Sequence, residues 1–286
     1  MAIARFTARD HLNLGAVDLA FGPFTVLVGP NGIGKSTVLR ALRALANDAH
    51  PQTGAQVLAI QDPDGDRRIE LTGPRPVVSH LRLDPSALET PSAFPPDASP
   101  GERGQCLAGA VSRLILERPE VMERIRLDLA EVVPRFVAVR SRPLDGRFEL
   151  RFDFSHARDV PQARVSTGTL AALAVLVVAH AEVERAAMLT LDDPETGLHP
   201  DAQQELVRKL RALTGTGRTQ IVVATHSPYV VDAADAENVW VLGRRDDGRA
   251  VSRRLTDHPD AARSGRVLTA GELWGAFGED WVGQPS

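Results

Sequence analysis

Scarce residue types narrow the field first. The 286 residues include one cysteine and one tyrosine, and aromatics make up only 5%. Cys106 alone cannot close an intramolecular disulfide, which excludes a disulfide-stapled scaffold and fits a reducing compartment. The longest apolar run, Leu170 to Ala179, falls far short of the ~20 residues that cross a bilayer. The N-terminus has no apolar h-region, so no signal peptide is expected. A cytoplasmic location without a membrane partner follows as the expectation. The net charge of −4 gives no broad basic field of the kind that marks nucleic-acid binders, although arginines can still cluster locally. No internal repeat or sustained heptad is visible, against a solenoid or a long coiled coil. What remains is a globular chain, 43% hydrophobic, long enough for one large domain or two small ones around a well-buried core.

Lysine is also rare. Of 33 Lys plus Arg, only Lys35 and Lys209 are lysine. Lys35 falls in Gly29-Pro30-Asn31-Gly32-Ile33-Gly34-Lys35-Ser36-Thr37, which fits G-x-x-x-x-G-K-[ST], the phosphate-binding loop or Walker A motif. The apolar Phe24–Val28 reads as a buried strand before it, and Ser36–Ala46 carries leucines at helical spacing after it. Strand, glycine loop and helix are the context this motif requires. The glycines let backbone N–H groups wrap a phosphate, and the helix N-terminus adds partial positive charge. Lys35 would reach the β- and γ-phosphates, where a compact ammonium suits better than a planar guanidinium. The Ser36 hydroxyl would ligate Mg²⁺.

Along the rest of the chain, strands are expected near Ile3–Phe6 and Ala16–Phe21, with a hairpin of 57–60 and 68–71 around Asp62-Pro63-Asp64-Gly65. Another strand spans Val77–Leu83. A proline-rich loop or hinge covers 84–104, and helix covers 105–132, broken at Pro119. Strands 136–139 and 148–154 flank the Asp145-Gly146 turn. A long apolar helix runs from Leu170 to about Glu184. The buried strand Met188–Leu191 ends in Asp192-Asp193-Pro194-Glu195-Thr196-Gly197-Leu198-His199-Pro200, followed by a helix over about 201–213. The buried strand Ile221–Ala224 ends in Thr225-His226-Ser227-Pro228, and Val239–Leu242 reads as the last strand of the sheet.

Two apolar strands ending in acids and in a histidine, beside a phosphate loop, form a constellation. Open α/β sheets place ligands at the carboxyl ends of their strands. Asp192 ends a buried strand, a good place for a carboxylate holding Mg²⁺ and its water. Asp192, Asp193 and Glu195 so close together should repel one another unless a cation sits among them. The order phosphate loop, Ser-x-Gly, Asp-Asp, His resembles the ABC-type ATPases. The stretches Leu189–Pro200 and Thr225-His226-Ser227-Pro228, with Ser166-Thr167-Gly168-Thr169-Leu170 as a short signature, are similar to the RecF-like and OLD-like branch. That branch includes stand-alone ATPases of DNA repair and phage defence. The resemblance runs from about Ile3 to Leu242.

The resemblance implies an α/β fold: a mixed central sheet with an antiparallel β subdomain and a small helical lobe. It implies one ATPase domain over 1–286, with a core lobe of about 1–83 and 186–286 and a helical insert of about 84–185. ATP and Mg²⁺ are the implied ligands. His226 becomes the switch histidine that contacts the γ-phosphate and helps place water. Asp193 stands where the family usually has the glutamate that polarises water. Aspartate is one methylene shorter, so slow turnover is expected, with Glu195 able to share the role. Ser166 and Gly168 would bind the γ-phosphate held by a second copy, implying a head-to-tail homodimer formed on ATP. Without that context, Ser166 is an ordinary helix cap. Output to DNA or to a separately encoded nuclease or effector is implied by resemblance alone.

Some expected parts are not identified. The Mg²⁺-ligating glutamine of the family has four candidates here, Gln52, Gln56, Gln61 and Gln105, and His199 has no assigned role. The insert is too short for a long coiled coil, and no Toprim-like segment follows Pro228. His180 and Glu184, four apart on a helix, read as a surface pair, since a metal would need a third ligand. Arg244-Arg245 and Arg253-Arg254 read as solvated surface, with phosphate contact as the alternative. Leu273, Trp274, Phe277 and Trp281 read as an amphipathic helix packing on its own domain, with a docking handle as the alternative. Two functional rivals stand beside the ATPase: the nucleotide-binding subunit of a membrane transporter, and an ATP sensor without turnover. A GTPase is disfavoured because no Asn-Lys-x-Asp motif is present.

Overall fold

A computed structural model describes residues 3–48, 57–62, 65–71, 77–95, 99–182, 188–215, 217, 219–265 and 267–284. In chain order it contains β1 (Ile3–His11), β2 (Leu14–Ala20), β3 (Phe24–Val28), α1 (Lys35–Asp48), β4 (Val57–Asp62), β5 (Gly65–Leu71) and β6 (Val78–Leu81). Then come α2 (Pro85–Leu88), α3 (Leu107–Glu117), α4 (Pro119–Val132), β7 (Phe136–Leu144), β8 (Arg147–Phe154), β9 (Ala157–Pro161) and α5 (Thr167–Glu182). The remainder is β10 (Met188–Asp192), α6 (Pro200–Thr214), β11 (Gln220–Ala224), α7 (Pro228–Asp232), β12 (Val239–Arg244), β13 (Ala250–Arg254), α8 (Ala261–Ser264) and α9 (Ala270–Phe277). The chain divides into two compact units. The first is Met1–His80, Arg185–Asp192 and Thr214–Ser286, and the second is Leu81–Glu184 and Asp193–Leu213.

The first unit is built on a sheet of order β4-β5-β1-β2-β13-β12-β3-β11-β10-β6. Strands β12, β3, β11 and β10 are mutually parallel. Every residue of β3, β10 and β11 is buried, as parallel strands covered on both faces require. The β4-β5-β1-β2 side is antiparallel and alternates buried with exposed residues along β2, the period of a half-covered sheet. Helix α1 buries Val38, Leu39, Leu42 and Leu45 in a cluster with Phe6, Leu27, Ile69, Met188 and Val222. Truncating Leu42 to alanine there would cost about 2–5 kcal/mol.

The second unit carries the antiparallel sheet β7-β8-β9 and the helices α2 to α6. The β7–β8 turn has positive φ at both Asp145 (47°) and Gly146 (74°), the mirror-image turn that matches strand twist. Pro119 opens α4 at a position where its missing N–H costs nothing. Leu170–Ala179 in α5 is buried all round, so this helix is core and not a two-faced surface helix.

The fold is the mixed α/β arrangement expected, with local corrections. Val239–Leu242 does not end the sheet: β13 follows, pairs with β12 and joins it to β2. Its Ala-Val-Ser-Arg-Arg sequence is half-exposed and lacks an apolar run. Trp281 is not on the helix of Leu273 and Trp274: α9 stops at Gly278, whose φ is 59°, and Trp281 lies in a following 3₁₀ turn. Leu273 and Trp281 are buried, which favours packing on the tail's own unit over a docking handle. No described helix is long and apolar enough to cross a membrane.

Candidate phosphate-binding site

Register fixes the geometry of the first unit's strand ends. Asp192 on β10 is opposite Ala224 on β11, and Ala224 is opposite Leu27 on β3. The Thr225 amide donates to the Leu27 carbonyl at 3.0 Å. One row across three parallel strands therefore ends in Asp192, in Thr225-His226, and in Val28-Gly29. These are the carboxyl ends, where an α/β sheet holds its ligands.

The loop after β3 is shaped by its glycines. Gly29 has φ 142°, and a Cβ there would overlap the Leu242 carbonyl of β12. Gly32 has φ 72° and nothing within 4 Å of where a Cβ would stand, so the loop is open at this point. Asn13, in the β1–β2 turn, donates from Nδ2 to the Gly32 carbonyl at 3.1 Å. That brace was not foreseen from sequence; the only hint is a polar residue at the tip of a hairpin beside an apolar strand.

Lys35 is the first residue of α1 and only 5% exposed. Its Nζ donates to the Gly29 carbonyl at 2.7 Å and the Pro30 carbonyl at 3.3 Å, and lies 2.8 Å from His226 Nε2. An ammonium has only donors, so the ring nitrogen facing it must carry its lone pair. The lysine of one strand-end loop thus meets the histidine of the next. Ser227 caps α7 directly after, accepting from the Tyr229 amide.

Asp192 is 4% exposed. With the Ser36 hydroxyl it offers hard oxygen donors, the chemistry magnesium prefers. Among the described residues no group of three or more His, Cys, Asp or Glu could hold a metal by itself. A Mg²⁺ ion held by one or two protein oxygens, with phosphates and water completing its shell, fits these donors.

The remaining candidates lie in the second unit. Asp193 adopts φ 50°, which aspartate tolerates better than most residues. Its carbonyl accepts from the Thr196 amide (3.2 Å) and hydroxyl (2.8 Å), closing a tight turn. Glu195 is buried at 9% exposure, and its carbonyl accepts from the Leu198 amide. Ser166 is exposed and caps α5, its Oγ accepting from the Thr169 amide at 3.2 Å. A Cβ on Gly168 would overlap the Gly197 carbonyl, so this glycine lets α5 seat against the acidic turn. Ser166, Gly168, Gly197 and His199 share the lining of one cavity of about 520 Å³.

Other candidates resolve into structure. Gln52 and Gln56 lie outside the described residues, Gln61 sits on β4, and Gln105 accepts from the Arg103 amide of its own loop. Glu184 also lies outside them. His180 is not a surface residue: it is 7% exposed, with Nε2 2.8 Å from Asp128 on α4. Lys209 on α6 reaches the same Asp128 (3.4 Å), Glu131 (2.5 Å) and Glu205 (3.9 Å). Burial pushes the Asp128 carboxyl up, but the His180 and Lys209 contacts outweigh it and leave it below its ordinary value. Burial likewise lowers Lys209, yet its carboxylates leave it raised. Arg245 pairs with Asp247 at 2.7 Å, and Arg254 lies 5.0 Å over the Trp240 ring, so both are engaged by their own surface.

With this geometry established, likenesses to known proteins take on meaning. A family described as "AAA domain, putative AbiEii toxin, Type IV TA system" matches residues 24–83 and 112–232. An OLD nuclease of Thermus scotoductus is 22% identical, covering 91% of this chain and 65% of that protein. The Nod factor export ATP-binding protein I of Sinorhizobium fredii is 28% identical, covering 70% of this chain and 46% of that one. The chain thus spans only part of the length of these relatives. Among solved structures, an SMC head bound to the C-winged helix domain of ScpA aligns with a TM-score of 0.61 at 16% identity, covering 89% of this chain and 99% of that one. An SMC head domain with an extended coiled coil, bound to the C-terminal domain of ScpA derived from Pyrococcus furiosus, gives 0.57 at 14% identity, covering 92% and 99%. At such identities the structural likeness speaks for the fold alone.

Proposed function

From its place in that AAA-domain family, to which the chain belongs as an ABC-like P-loop ATPase of the RecF-like and OLD-like type, we propose that it binds Mg-ATP, dimerises head to tail on it and hydrolyses it slowly. The observation that carries this reading is the 2.8 Å approach of Lys35 Nζ to His226 Nε2, beside a strand end that bears Asp192. In this reading the two compact units are lobes of one ATPase domain. The 29–37 loop cradles the phosphates with its N–H groups. Lys35 neutralises the terminal phosphates. Ser36 and Asp192 hold magnesium, which supplies charge neutralisation for phosphoryl transfer. His226 orients the attacking water. Asp193 acts as general base with Glu195 as its neighbour, and the shorter aspartate makes the proton transfer inefficient. Ser166 and Gly168 complete the site of a second copy. ATP then works as a switch in the cytoplasm, with its output passed to DNA or to a separately encoded effector, as in repair or phage defence.

Phosphate release from wild type, Lys35→Ala and Asp193→Glu tests this. Slow release by wild type, none by Lys35→Ala and faster release by Asp193→Glu are expected. Release by Lys35→Ala at the wild-type rate would refute the reading. A second reading, the ATP-binding subunit of an exporter, draws on the identity with the Nod factor export protein. Co-purification with a membrane permease would favour it, whereas co-purification with a nuclease would favour the defence role.

A further inference from the structure

The segment after His226 is held by the far C-terminal part of the chain. Pro228 opens α7, two residues past the histidine, and Asp232 closes it. The Gly271 amide, in the first turn of α9, donates to Asp232 Oδ1 at 2.6 Å. A Cβ on Gly271 would overlap the Pro228 carbonyl, so α9 lies backbone against backbone on the start of α7. Thr269 and Glu272 cap the same end of α9 reciprocally, which fixes where Gly271 points. The other end is anchored as well. Phe277 stacks on His258 at 3.6 Å, and Trp274 Nε1 donates to Glu279 at 3.1 Å. A cavity of about 550 Å³, lined in part by Ala234, Leu255, Ala261 and Leu273, lies beside this joint. The family match ends at Asp232, so α9 lies outside the matched residues.

We infer that α9 is the positioning element for His226: the Asp232–Gly271 contact sets the height of α7 and thereby the reach of the histidine that faces Lys35. The inference rests on the ATPase reading. The contact is a lever in both directions. A displacement of His226 moves Pro228 and with it α9, so whatever binds or shifts the C-terminal element tunes turnover.

The experiment uses the full chain and Mg-ATP. Asp232→Ala and Gly271→Ala are expected to lower kcat by about 10-fold to 10²-fold, the scale of an ångström misplacement of a reacting group, with ATP affinity within about twofold. Asp232→Asn keeps the accepting oxygen and should restore wild-type turnover. In a Trp240→Phe background, the fluorescence of Trp274 and Trp281 should change on adding Mg-ATP, and Asp232→Ala should abolish the change. Variants that bind ATP and turn over like wild type would overturn the inference while leaving the ATPase reading intact. Loss of ATP binding by Asp232→Ala would also overturn it, because the contact would then hold the unit together and not place one side chain. Failure of the wild type itself to bind Mg-ATP would sink the ATPase reading and this inference with it.

Discussion

The chain's two lysines sit in two units and do opposite things. Lys35, in the first unit, donates to the backbone carbonyls of Gly29 and Pro30 and faces an imidazole. Lys209, in the second, is ringed by the carboxylates of Asp128, Glu131 and Glu205. A cation held by neutral acceptors keeps its charge for an anion, whereas one matched by carboxylates has spent it on holding helices together. Two glycines of the sequence motifs differ as well. Gly32 stands open, with nothing within 4 Å of a Cβ position, while Gly168 is pressed against the Gly197 carbonyl. Lys35 is thus held by neutral groups at a strand end, and Lys209 by carboxylates between helices.

The comparison breaks most visibly at His226. His226→Ala should cut ATP turnover by about 10²-fold, the usual scale of a lost acid–base or water-placing group, with little change in ATP affinity. Steady-state kinetics beside a binding titration checks this, and equal loss of both would place His226 in ground-state binding. On the other side, Gly168→Ala should destabilise the protein by about 1–3 kcal/mol through overpacking, read in a denaturant melt. A neutral outcome would remove the packing role assigned to this glycine.

Lys209→Met should cost about 1–2 kcal/mol, because Asp128, Glu131 and Glu205 lose the cation they share. The sign of its pH dependence follows from the two shifts. Asp128 is depressed on folding, so its contribution is present above its unfolded value of ~3.9 and fades as pH falls through the lower folded value. Lys209 is raised, so its contribution is present below its unfolded value of ~10.4 and fades as pH rises through the higher folded value. The gap between wild type and Lys209→Met should therefore hold across neutral pH and close at both extremes. A gap that grows in acid would contradict the network. Asn13→Ala is the mildest: losing one partly exposed bond to Gly32 should weaken ATP binding by about 1 kcal/mol or less, and a tenfold loss would mean the brace matters more than its geometry suggests.

What the sequence reveals and what it hides follow the same division. Gly29–Thr37 is contiguous, so its geometry is local and its pattern legible. Strands β3, β10 and β11 are mostly apolar and buried along their whole length, and announce themselves. Strand β13 does not, since it is half-exposed and arginine-rich; nor does β9, with Asp159 and Pro161 inside it. Contacts between distant positions are hidden altogether. Asp128 meets His180 across 52 positions, Asp232 meets Gly271 across 39, and Asn13 meets Gly32 across 19. Nothing in the local composition of those stretches encodes the pairing. The short signature Ser166-Thr167-Gly168 is legible as a motif, but the packing of Gly168 on Gly197 is visible only once the chain is folded.

The central claim is that the loops at the ends of β3, β10 and β11 hold one magnesium-bound triphosphate. Isothermal titration of ATP into wild-type protein and Lys35→Ala, each with and without Mg²⁺, tests it most directly. Saturable binding that is strengthened by Mg²⁺ in the wild type and lost in Lys35→Ala is the predicted result. No heat from the wild type, or equal affinity in both proteins, would contradict it.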